Sequence, residues 1–393
     1  MLVLSRRSLA VAEEDEDDKD FYDAKSPASQ TKITIVTKYF AFWGKVLGPI
    51  AMRSRVKRLA YLDLYCGPGR YKKTGDPSTP VLIIEEVLRS PLLCELVETY
   101  SNDEDPEHTA ALKENLEALP RYEQLKHKPV ITTGTVDRGF EERLAGIMRA
   151  PTFSFFDPFG YKGVTLKLLQ AMLKGFGCDL VLFFSYNRIN AALTNNNVEE
   201  HIVALFGEER FEELKKKLLG KSPAQRELII LDTFGQALKA MGFIYVHPFN
   251  FMQAEKRRVS HHLIFVSKEY LGYDVMKQIM GKASSKHEEG VPSFGYAPAL
   301  SQEETPLLFE FARPLEQLGA MLTEDYAGQT LTFDILFREH NVGRPYLVKN
   351  YRDAILELEE ERKVTVTMDK KRMKREGKLT LPGHARITFP EKT

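Results

Sequence analysis

Cysteines and long apolar runs are scarce in this sequence of 393 residues. No apolar run approaches the roughly 20 residues of a membrane-spanning helix, so we expect no membrane partner. The three cysteines, Cys66, Cys94 and Cys178, lie far apart without metal-ligand spacing, which predicts no metal site and a reduced, cytoplasmic protein. An excess of charge of either sign is also lacking, because Lys+Arg and Asp+Glu each count 55. Net charge therefore predicts no partner.

The length and the 43% hydrophobic content are those of a globular chain with room for two domains. The run Glu13-Glu-Asp-Glu-Asp-Asp-Lys-Asp20 has dense like charge and few apolar residues, which predicts disorder. Two roles are open for this arm, a solubilising tail or an intramolecular mimic of nucleic acid. We predict four segments: an acidic arm (1–30), an α/β domain (31–283), a linker (284–302) and a winged-helix-like domain (303–393).

The stretch Tyr61-Leu-Asp-Leu-Tyr-Cys-Gly-Pro-Gly-Arg70 predicts a buried strand followed by a glycine turn, and an amphipathic helix follows at Val81–Leu88. Strand, glycine turn and helix open a doubly wound nucleotide-binding fold. The third glycine of the dinucleotide fingerprint is missing. The pattern is similar to motif I of S-adenosylmethionine-dependent methyltransferases, which makes Asp63, Tyr65, Gly67 and Gly69 candidate cofactor residues. The alternative is a plain tight turn, and we interpret Cys66 as a packing residue.

Acidic residues end the second predicted strand, within Leu92–Pro106. We expect Asp103 to bind the ribose of the cofactor, with Glu104 as second choice, because a carboxylate at this strand end accepts hydrogen bonds from ribose hydroxyls. The alternative is that these acids only favour a helix start, where Asp105 is the predicted N-cap and Pro106 the first helical residue. A third strand and loop, Pro129–Asp137, places Gly134 and Asp137 for adenine contact.

The stretch Pro151-Thr-Phe-Ser-Phe-Phe-Asp-Pro-Phe-Gly160 predicts an apolar strand that delivers Asp157 to the ligand edge of the sheet. Asp157, Pro158, Phe159 and Gly160 resemble the Asp-Pro-Pro-Tyr type of motif in methyltransferases that modify exocyclic amines. There, the acid and a backbone carbonyl accept hydrogens from the amine, and an aromatic ring stacks on the base. The alternative is a rigid strand-to-helix turn with Phe159 in the core.

Further elements follow the same pattern. A strand at 178–185 places Ser185, Asn187 and Arg188 at the ligand edge, where Arg188 would bind a phosphate, the methionine carboxylate or a surface acid. We predict helices at 33–52, 198–219 and 227–241, and a strand pair at 243–251 and 261–267 that closes the sheet. We interpret His261 and His262 as structural, because neighbours on a strand face opposite sides.

The last segment predicts a helix at 331–340, a turn at 341–345 and a helix at 347–362, followed by two strands around a basic run. Helix-turn-helix with a basic hairpin is typical of winged-helix nucleic-acid binding. The candidate nucleic-acid residues are all basic: Arg188 in the α/β domain, Arg344, Lys349 and Arg352 at the recognition helix, and Lys370, Lys371, Arg372, Lys374 and Arg375 in the wing. A solvated loop is the alternative reading of the wing.

Together, the motifs Asp63-Leu-Tyr-Cys-Gly-Pro-Gly-Arg, Asp103-Glu-Asp-Pro, Phe156-Asp-Pro-Phe-Gly-Tyr-Lys-Gly, Ser185-Tyr-Asn-Arg and Val342-Gly-Arg-Pro-Tyr resemble the three-Cys-motif partner (TcmP) proteins. The resemblance covers about 38–358. It implies a Rossmann-like methyltransferase core and a partner protein with three clustered cysteines, an iron–sulfur radical enzyme. It implies no substrate, and the acidic arm is not part of the pattern.

The sequence thus predicts an α/β protein with a Rossmann-like methyltransferase core and a C-terminal winged-helix-like domain. The leading function is methyl transfer from S-adenosylmethionine to a nucleic-acid base (DNA or RNA), at an exocyclic amine, with Asp157 orienting the amine. A non-enzymatic nucleic-acid-binding adaptor that docks the three-Cys partner is the main alternative. A nuclease is a third possibility, less suited to acids at three different strand ends.

Overall fold

The structure, a computed structural model, describes residues 25–137, 139–144, 150–158, 160–253, 258–285, 287–288, 290–296, 315–369, 372–375 and 378–391. Most of the predicted acidic arm lies outside the described residues, as do Phe159, Lys370 and Lys371. The chain divides into two compact units, one of Met1–Val246 with Val259–Gly272 and one of His247–Arg258 with Tyr273–Thr393. The domain boundaries drawn from the sequence stay predictions.

The first unit contains most of the helices and a central sheet. Its helices are α1 Pro27–Arg53, α2 Thr79–Leu88, α3 Pro91–Leu96, α4 Pro106–Glu117, α5 Phe140–Leu144, α6 Leu166–Met172, α7 Tyr186–Ala192, α8 Glu199–Phe206, α9 Glu208–Lys217 and α10 Pro223–Ala240. Its strands are β1 Leu59–Asp63, β2 Val97–Asp103, β3 Val130–Thr133, β4 Thr152–Phe156 and β5 Asp179–Phe184. Three elements are divided between the units: β6 Tyr245–Gln253, β7 Arg258–Ser267 and α11 Tyr270–Ala283.

The strands of the first unit follow the order β3-β2-β1-β4-β5-β7. The first five are parallel, with Asp63 of β1 beside Ser101 of β2 and Phe155 of β4. Strand β7 is antiparallel to β5, pairing Phe184 with His262. β1 and β4 are buried along their whole lengths, which explains their continuous apolar sequences. The predicted α/β fold class, a doubly wound sheet closed by an antiparallel strand, is confirmed.

Helix α1 begins at Pro27, six residues before the predicted start, because Ser26 caps it by accepting the Ser29 N–H at 3.0 Å. Its apolar face packs on the sheet. The Tyr39 hydroxyl donates to Asp179 at 2.6 Å, and Trp43 Nε1 donates to the Gly177 carbonyl at 3.0 Å. These two hydrogen bonds fix the helix near the amino end of β5.

Two other helices of the first unit differ from the prediction. The predicted single helix at 198–219 is two helices, α8 and α9, because Gly207 between them has φ +83°, a left-handed conformation that ends α8. Helix α10 begins at Pro223 rather than Glu227, after a capping box between Ser222 and Gln225. The predicted cap of α4 is confirmed, since Asp105 accepts the Glu107 N–H at 2.8 Å and Pro106 is the first helical residue.

The second unit contains a three-helix winged arrangement. Its further elements are β8 His287–Glu288, β9 Val291–Pro292, β10 Gly295–Tyr296, α12 Leu315–Asp325, β11 Thr330–Thr332, α13 Phe333–His340, α14 Val348–Glu360, β12 Thr365–Thr367, β13 Lys374–Arg375, β14 Lys378–Leu379 and β15 Arg386–Thr388. The sheet order is β11-β15-β12, and β13 pairs with β14 at the tip. Helix, strand, two helices and a hairpin is the winged-helix order.

The boundaries in the second unit correct two predictions. Leu331 was predicted helical but lies in β11, because Thr332 is the N-cap of α13 and accepts the Ile335 N–H. The segment predicted as a linker contains β8, β9 and β10, and Val291 belongs to the buried core of the unit. Short strands with Gly and Pro have the composition of a linker, which is why the sequence did not reveal them.

Three features are absent from the part of the chain that the structure describes. No helix there is long and apolar enough to cross a membrane. No group of three or more His, Cys, Asp or Glu side chains there could hold a metal ion. The three cysteines are buried and unpaired, and burial raises the pKa of the Cys66 thiol well above its usual range, which suits a packing role.

Candidate active site

A large cavity opens at the carboxyl ends of the parallel strands, where open α/β sheets bind ligands. Its volume is about 1170 Å³. One half is lined from the ends of β1, β2 and β3, and the other from the β4 and β5 ends and helices α7 and α8. The cavity brings together Tyr65, Glu104, Asp137, Asp157, Pro158, Gly160 and Arg188 of the predicted site residues. Asp63, Gly67, Gly69 and Asp103 are absent from its described lining.

The glycine turn after β1 is shaped by two left-handed residues, Gly67 at φ +61° and Gly69 at φ +85°. A Cβ on Gly69 would lie 2.8 Å from Leu112 Cδ1 and 3.2 Å from a methyl of Val81. Gly69 is therefore required by its conformation and by close packing against α2 and α4. Neither glycine is among the described lining residues of the cavity, and their contact with a cofactor stays a prediction.

Asp63 ends β1 as predicted but lies behind the cavity, with 1% of the residue exposed. It accepts the Tyr65 N–H and the Tyr61 hydroxyl, each at 3.2 Å. Burial raises the pKa of Asp63 to about 7, the Tyr65 hydrogen bond opposes that rise, and the Asp157 and Asp103 carboxylates add to it. Asp63 therefore fixes the turn, and its predicted contact with the cofactor amino group stays a prediction.

The two acids at the end of β2 have different surroundings. Asp103 is buried and accepts the Gly67 N–H at 2.8 Å and the Asp105 N–H at 3.1 Å, with His108 Nδ1 at 3.2 Å. Glu104 is exposed and lines the cavity. Asp103, the first choice as ribose ligand, thus joins β2 to the glycine turn. Glu104, the second choice, is exposed in the cavity.

The β3 side offers room for a planar group. Gly134 lines the cavity, and a Cβ placed there would have no heavy atom within 4 Å. Asn102 Nδ2 donates to the Gly134 carbonyl at 2.8 Å and so holds this loop against β2. Asp137 also lines the cavity and pairs with Arg143 at 2.8 Å. The loop could therefore contact a base edge, as the sequence predicted.

The β4 end delivers Asp157, Pro158 and Gly160 to the cavity, while Phe159 is outside the described residues. Gly160 has φ +91°, and Gly163 has φ +80° with its Cβ direction closed by the Val136 carbonyl and the Tyr65 hydroxyl. The Tyr65 hydroxyl donates to the Lys162 carbonyl at 3.2 Å. Two left-handed glycines and this hydrogen bond hold the loop beside the β1 turn.

Lys32 is a site residue that the sequence analysis missed. Its ammonium pairs with Asp157 Oδ2, and both side chains are largely buried, with 8% and 16% exposed. Lys32 occupies the apolar stripe of α1, four residues before Val36 and seven before Tyr39, both buried. A lysine at an apolar position of a helix was the available signal.

On the β5 side, Ser185 and Arg188 line the cavity as expected, whereas Asn187 is not among the described lining residues. Arg188 is exposed and has no ion-pair partner among the described residues. Its side chain passes Gly160, whose added Cβ would meet Arg188 Cδ at 3.3 Å. Arg188 therefore remains available for an anionic group in the cavity.

The basic candidates of the second unit fall into two groups. Lys349 and Lys374 are exposed, and Lys349 pairs with Asp353 on its own helix at 2.8 Å. Arg352 is also exposed, with its guanidinium 5.4 Å from the Phe333 ring. These three residues can reach a ligand surface.

The other group is held within the unit. Arg372 is 10% exposed, binds both Glu359 oxygens at 2.6 Å and donates to the Thr380 carbonyl. Arg344 binds Asp325 at 3.2 Å and the His340 carbonyl at 2.7 Å. Lys370, Lys371 and the Arg375 side chain are outside the described residues. Arg372 therefore joins the wing to α14 rather than facing solvent.

Comparison with known proteins adds one assignment. Residues 295–371 match the family model of the GMT-like wHTH domain, which agrees with the winged arrangement and confirms that prediction. No curated protein matches the chain. Among solved structures, cofactor-bound Rv0187 from MTB is 12% identical, with 68% of this chain and 93% of that chain covered and a TM-score of 0.31.

DszA carbon methyltransferase is 14% identical, with 63% and 56% covered and a TM-score of 0.34. The human methyltransferase 10 domain containing protein is 11% identical, with 60% and 83% covered and a TM-score of 0.28. Because these TM-scores are all below 0.5, the similarities establish neither a shared fold nor a shared activity. The structure shows an α/β unit with a cavity at the carboxyl edge of its sheet, and the family model identifies a GMT-like wHTH domain at 295–371.

Proposed function

We propose that this protein transfers a methyl group from S-adenosylmethionine to a nucleic-acid base, at an exocyclic amine. The observation on which this depends is that Glu104, Asp137 and Asp157, from the ends of three strands, line one cavity at the carboxyl edge of the sheet. A sheet closed by an antiparallel strand and acids at successive strand ends are typical of the methyltransferase arrangement that motif I indicates.

The residues on the β1–β3 side fit the cofactor. Glu104 offers a solvent-facing carboxylate for ribose hydroxyls, so we assign it the role first given to Asp103. The open space over Gly134 suits an adenine ring, with Asp137 beside it. When bound, S-adenosylmethionine supplies a methyl group on a positively charged sulfur.

On the β4 side, Asp157 and the Pro158 carbonyl would accept hydrogen bonds from the target amine and direct its lone pair. The nitrogen lone pair would form the new N–C bond as the S–C bond breaks, and the electron pair of that bond would stay on the sulfur. The nitrogen would then release one proton to Asp157 or to water. Such transfer depends mainly on alignment of the reacting atoms. The base must be single-stranded or flipped out to enter the cavity.

The second unit would supply nucleic-acid affinity. Lys349, Arg352 and Lys374 are exposed basic residues on the recognition helix and wing of a winged-helix arrangement. The resemblance to three-Cys-motif partner proteins adds a proposed protein partner with clustered cysteines. Which nucleic acid is bound, DNA or RNA, follows from the test below.

A second candidate is a non-enzymatic adaptor that binds nucleic acid and the three-Cys partner. Two observations favour it: Asp103 is already hydrogen-bonded to the Gly67 N–H, and neither glycine of motif I is among the described lining residues of the cavity. An adaptor would retain nucleic-acid binding and show no saturable binding of S-adenosylmethionine.

The test uses the full chain with methyl-labelled S-adenosylmethionine and pools of single-stranded RNA and DNA, followed by digestion and identification of labelled nucleosides. We expect Asp157→Ala to bind the cofactor normally and to lose transfer at least ~100-fold, because the amine is no longer oriented. Asp232→Ala, which changes an exposed acid on α10, is the control. Undiminished transfer by Asp157→Ala would remove Asp157 from the mechanism.

A further inference from the structure

The ion pair between Lys32 and Asp157 joins the first helix to the proposed transfer site. Lys32 lies on α1, 125 residues before Asp157, and its ammonium binds Oδ2 of that carboxylate. The ammonium also lies 5.1 Å from the centre of the Phe183 ring and 6.0 Å from that of Phe155. Phe183 lines the cavity beside Asp157. Lys32 is therefore enclosed by the ends of β4 and β5, and its ammonium contacts Oδ2 of Asp157.

Helix α1 holds Lys32 in a fixed place. The Tyr39 hydroxyl binds the buried Asp179 at 2.6 Å, and the Trp43 indole binds the Gly177 carbonyl at 3.0 Å. Tyr39 and Trp43 also pack against Phe153 of β4, with ring centres 5.2 and 6.2 Å apart. The helix cannot shift along the sheet without breaking these contacts, so the position of the ammonium is set by a rigid element.

Stability does not require a lysine at this position. Val36, Tyr39 and Trp43 on the same stripe of α1 are buried, and an apolar residue at position 32 would continue that stripe. A buried ion pair contributes little net stability, because desolvation of two charges offsets their attraction, and apolar replacement of both partners is often neutral or stabilising. The charge at Lys32 therefore needs an explanation outside folding.

Asp157 acts electrostatically on groups of neighbouring elements. Burial is the main cause of the raised pKa values of Asp63, Tyr61 and Tyr71, and the charge of Asp157 adds to each rise. On β7, burial first and then the charge of Lys32 lower the pKa of His261 well below its usual value, so that imidazole is neutral. Lys32 thus places a positive charge directly on Asp157 and within electrostatic range of His261.

We propose that Lys32 is a positioning residue of the transfer site, which fixes the orientation of the Asp157 side chain through Oδ2 and leaves Oδ1 to receive the target amine. This role rests on the proposed function. Without the ammonium on Oδ2, the Asp157 side chain could rotate, and the target amine would lose an acceptor held in a fixed position. Helix α1 is then part of the transfer site and not only a cover of the sheet.

The test compares Lys32→Met and Lys32→Arg with Lys38→Met, which removes an exposed lysine from the same helix. Transfer and cofactor binding are measured on the full chain with the labelled donor. We expect kcat of Lys32→Met to fall at least ~100-fold, and Lys32→Arg to recover at least a tenth of the native kcat, because the guanidinium also binds a carboxylate. The dissociation constant of S-adenosylmethionine should stay within about twofold, since Lys32 does not line the cofactor half of the cavity.

Lys32→Gln, which keeps an N–H donor without the charge, is measured in parallel, so a folding defect in Lys32→Met does not decide the result. Fluorescence of the single tryptophan, Trp43 on α1, reports the fold of each variant. Native transfer with kcat retained in a folded Lys32→Met or Lys32→Gln would overturn the role of Lys32 and leave the proposed function standing. No transfer by the native protein to any nucleic acid would overturn the proposed function, and the role of Lys32 with it.

Discussion

The carboxyl group of Asp63 is a buried acid whose state of protonation changes near neutral pH. Burial raises its pKa from 3.8 to about 7 in the folded protein. Between these values the folded state binds more protons than the unfolded state, so the free energy of unfolding falls as pH rises. For this one group the fall is of the order of a few kcal/mol, at about 1.4 kcal/mol per pKa unit.

We therefore predict that the first unit is more stable at pH 5 than at pH 8, and that Asp63→Asn removes much of the difference. Urea unfolding followed by Trp43 fluorescence measures both proteins at both pH values. Part of the slope should persist in the variant, because burial raises the pKa of Asp179 to about 6 in the same pH window. An equal pH dependence of the free energy of unfolding in the two proteins would contradict a raised pKa of Asp63 in the folded state.

Gly69 in the motif I turn and Gly75 in the loop that follows it separate the effect of backbone conformation from the effect of packing. Both have positive φ, +85° and +69°, but only Gly69 has neighbours that a Cβ would meet. We predict that Gly69→Ala costs roughly 2–4 kcal/mol, from strain plus overpacking against Leu112, while Gly75→Ala costs only about 1 kcal/mol. Urea midpoints measured by Trp43 fluorescence provide the comparison, and equal losses would contradict the packing argument.

At the residue scale, the sequence could predict interactions between residues that are close together in the chain. The Asp105 cap and Pro106 start of α4 follow from residues within one helical turn. The pairing of Lys32 with Asp157 and of Asp103 with the Gly67 N–H joins residues 125 and 36 positions apart. Such partners depend on how the helix and strands pack, which no local pattern states.

At the element scale, the wing of the second unit gives a test of nucleic-acid binding. Lys374 is exposed, whereas Arg372 is bound to Glu359 of α14. We predict that Lys374→Ala weakens nucleic-acid binding and lowers the slope of log K against log salt by about 0.7–0.9, the loss of one phosphate contact. Arg372→Ala should instead destabilise the unit by roughly 1–3 kcal/mol, because it leaves Glu359 without its partner.

Fluorescence anisotropy of a labelled oligonucleotide over a range of salt measures the first effect, and thermal unfolding of the unit measures the second. Lys349→Ala on α14 is the comparison for a residue that has an ion pair on its own helix. An unchanged salt slope in Lys374→Ala would remove the wing from the nucleic-acid surface.

Elements with strong periodicity or clear caps were predictable, and those defined by turns were not. The strands β1, β4 and β5 lie where continuous apolar runs placed them, whereas the mainly apolar residues 92–96 belong to α3 and β2 begins only at Val97. The break at Gly207 between α8 and α9 was missed, since a single glycine is tolerated within many helical patterns. The strands β8 to β10 have two residues each and leave no periodic signal. β8 and β9 pair with each other, and β10 pairs with the distant β6.

For the whole molecule, the order of strands follows from rules that the sequence obeys. Parallel strands with crossover helices give one sheet, and the acids that end those strands meet at one edge. The sequence could predict which edge of the sheet carries the acids, but not which of these acids faces the cavity. Glu104 and Asp103 are adjacent in sequence, and only the fold directs one to the cavity and the other to the glycine turn.

The central claim is that the cavity binds S-adenosylmethionine, and calorimetric titration of the cofactor into the full chain tests it most directly. We predict saturable one-to-one binding that Glu104→Gln weakens by about 10-fold or more, the loss of hydrogen bonds to a charged carboxylate. Glu107→Gln, which changes an exposed acid of the first turn of α4 off the cavity, should bind as the native chain does. No saturable binding by the native protein would contradict the account and favour the adaptor.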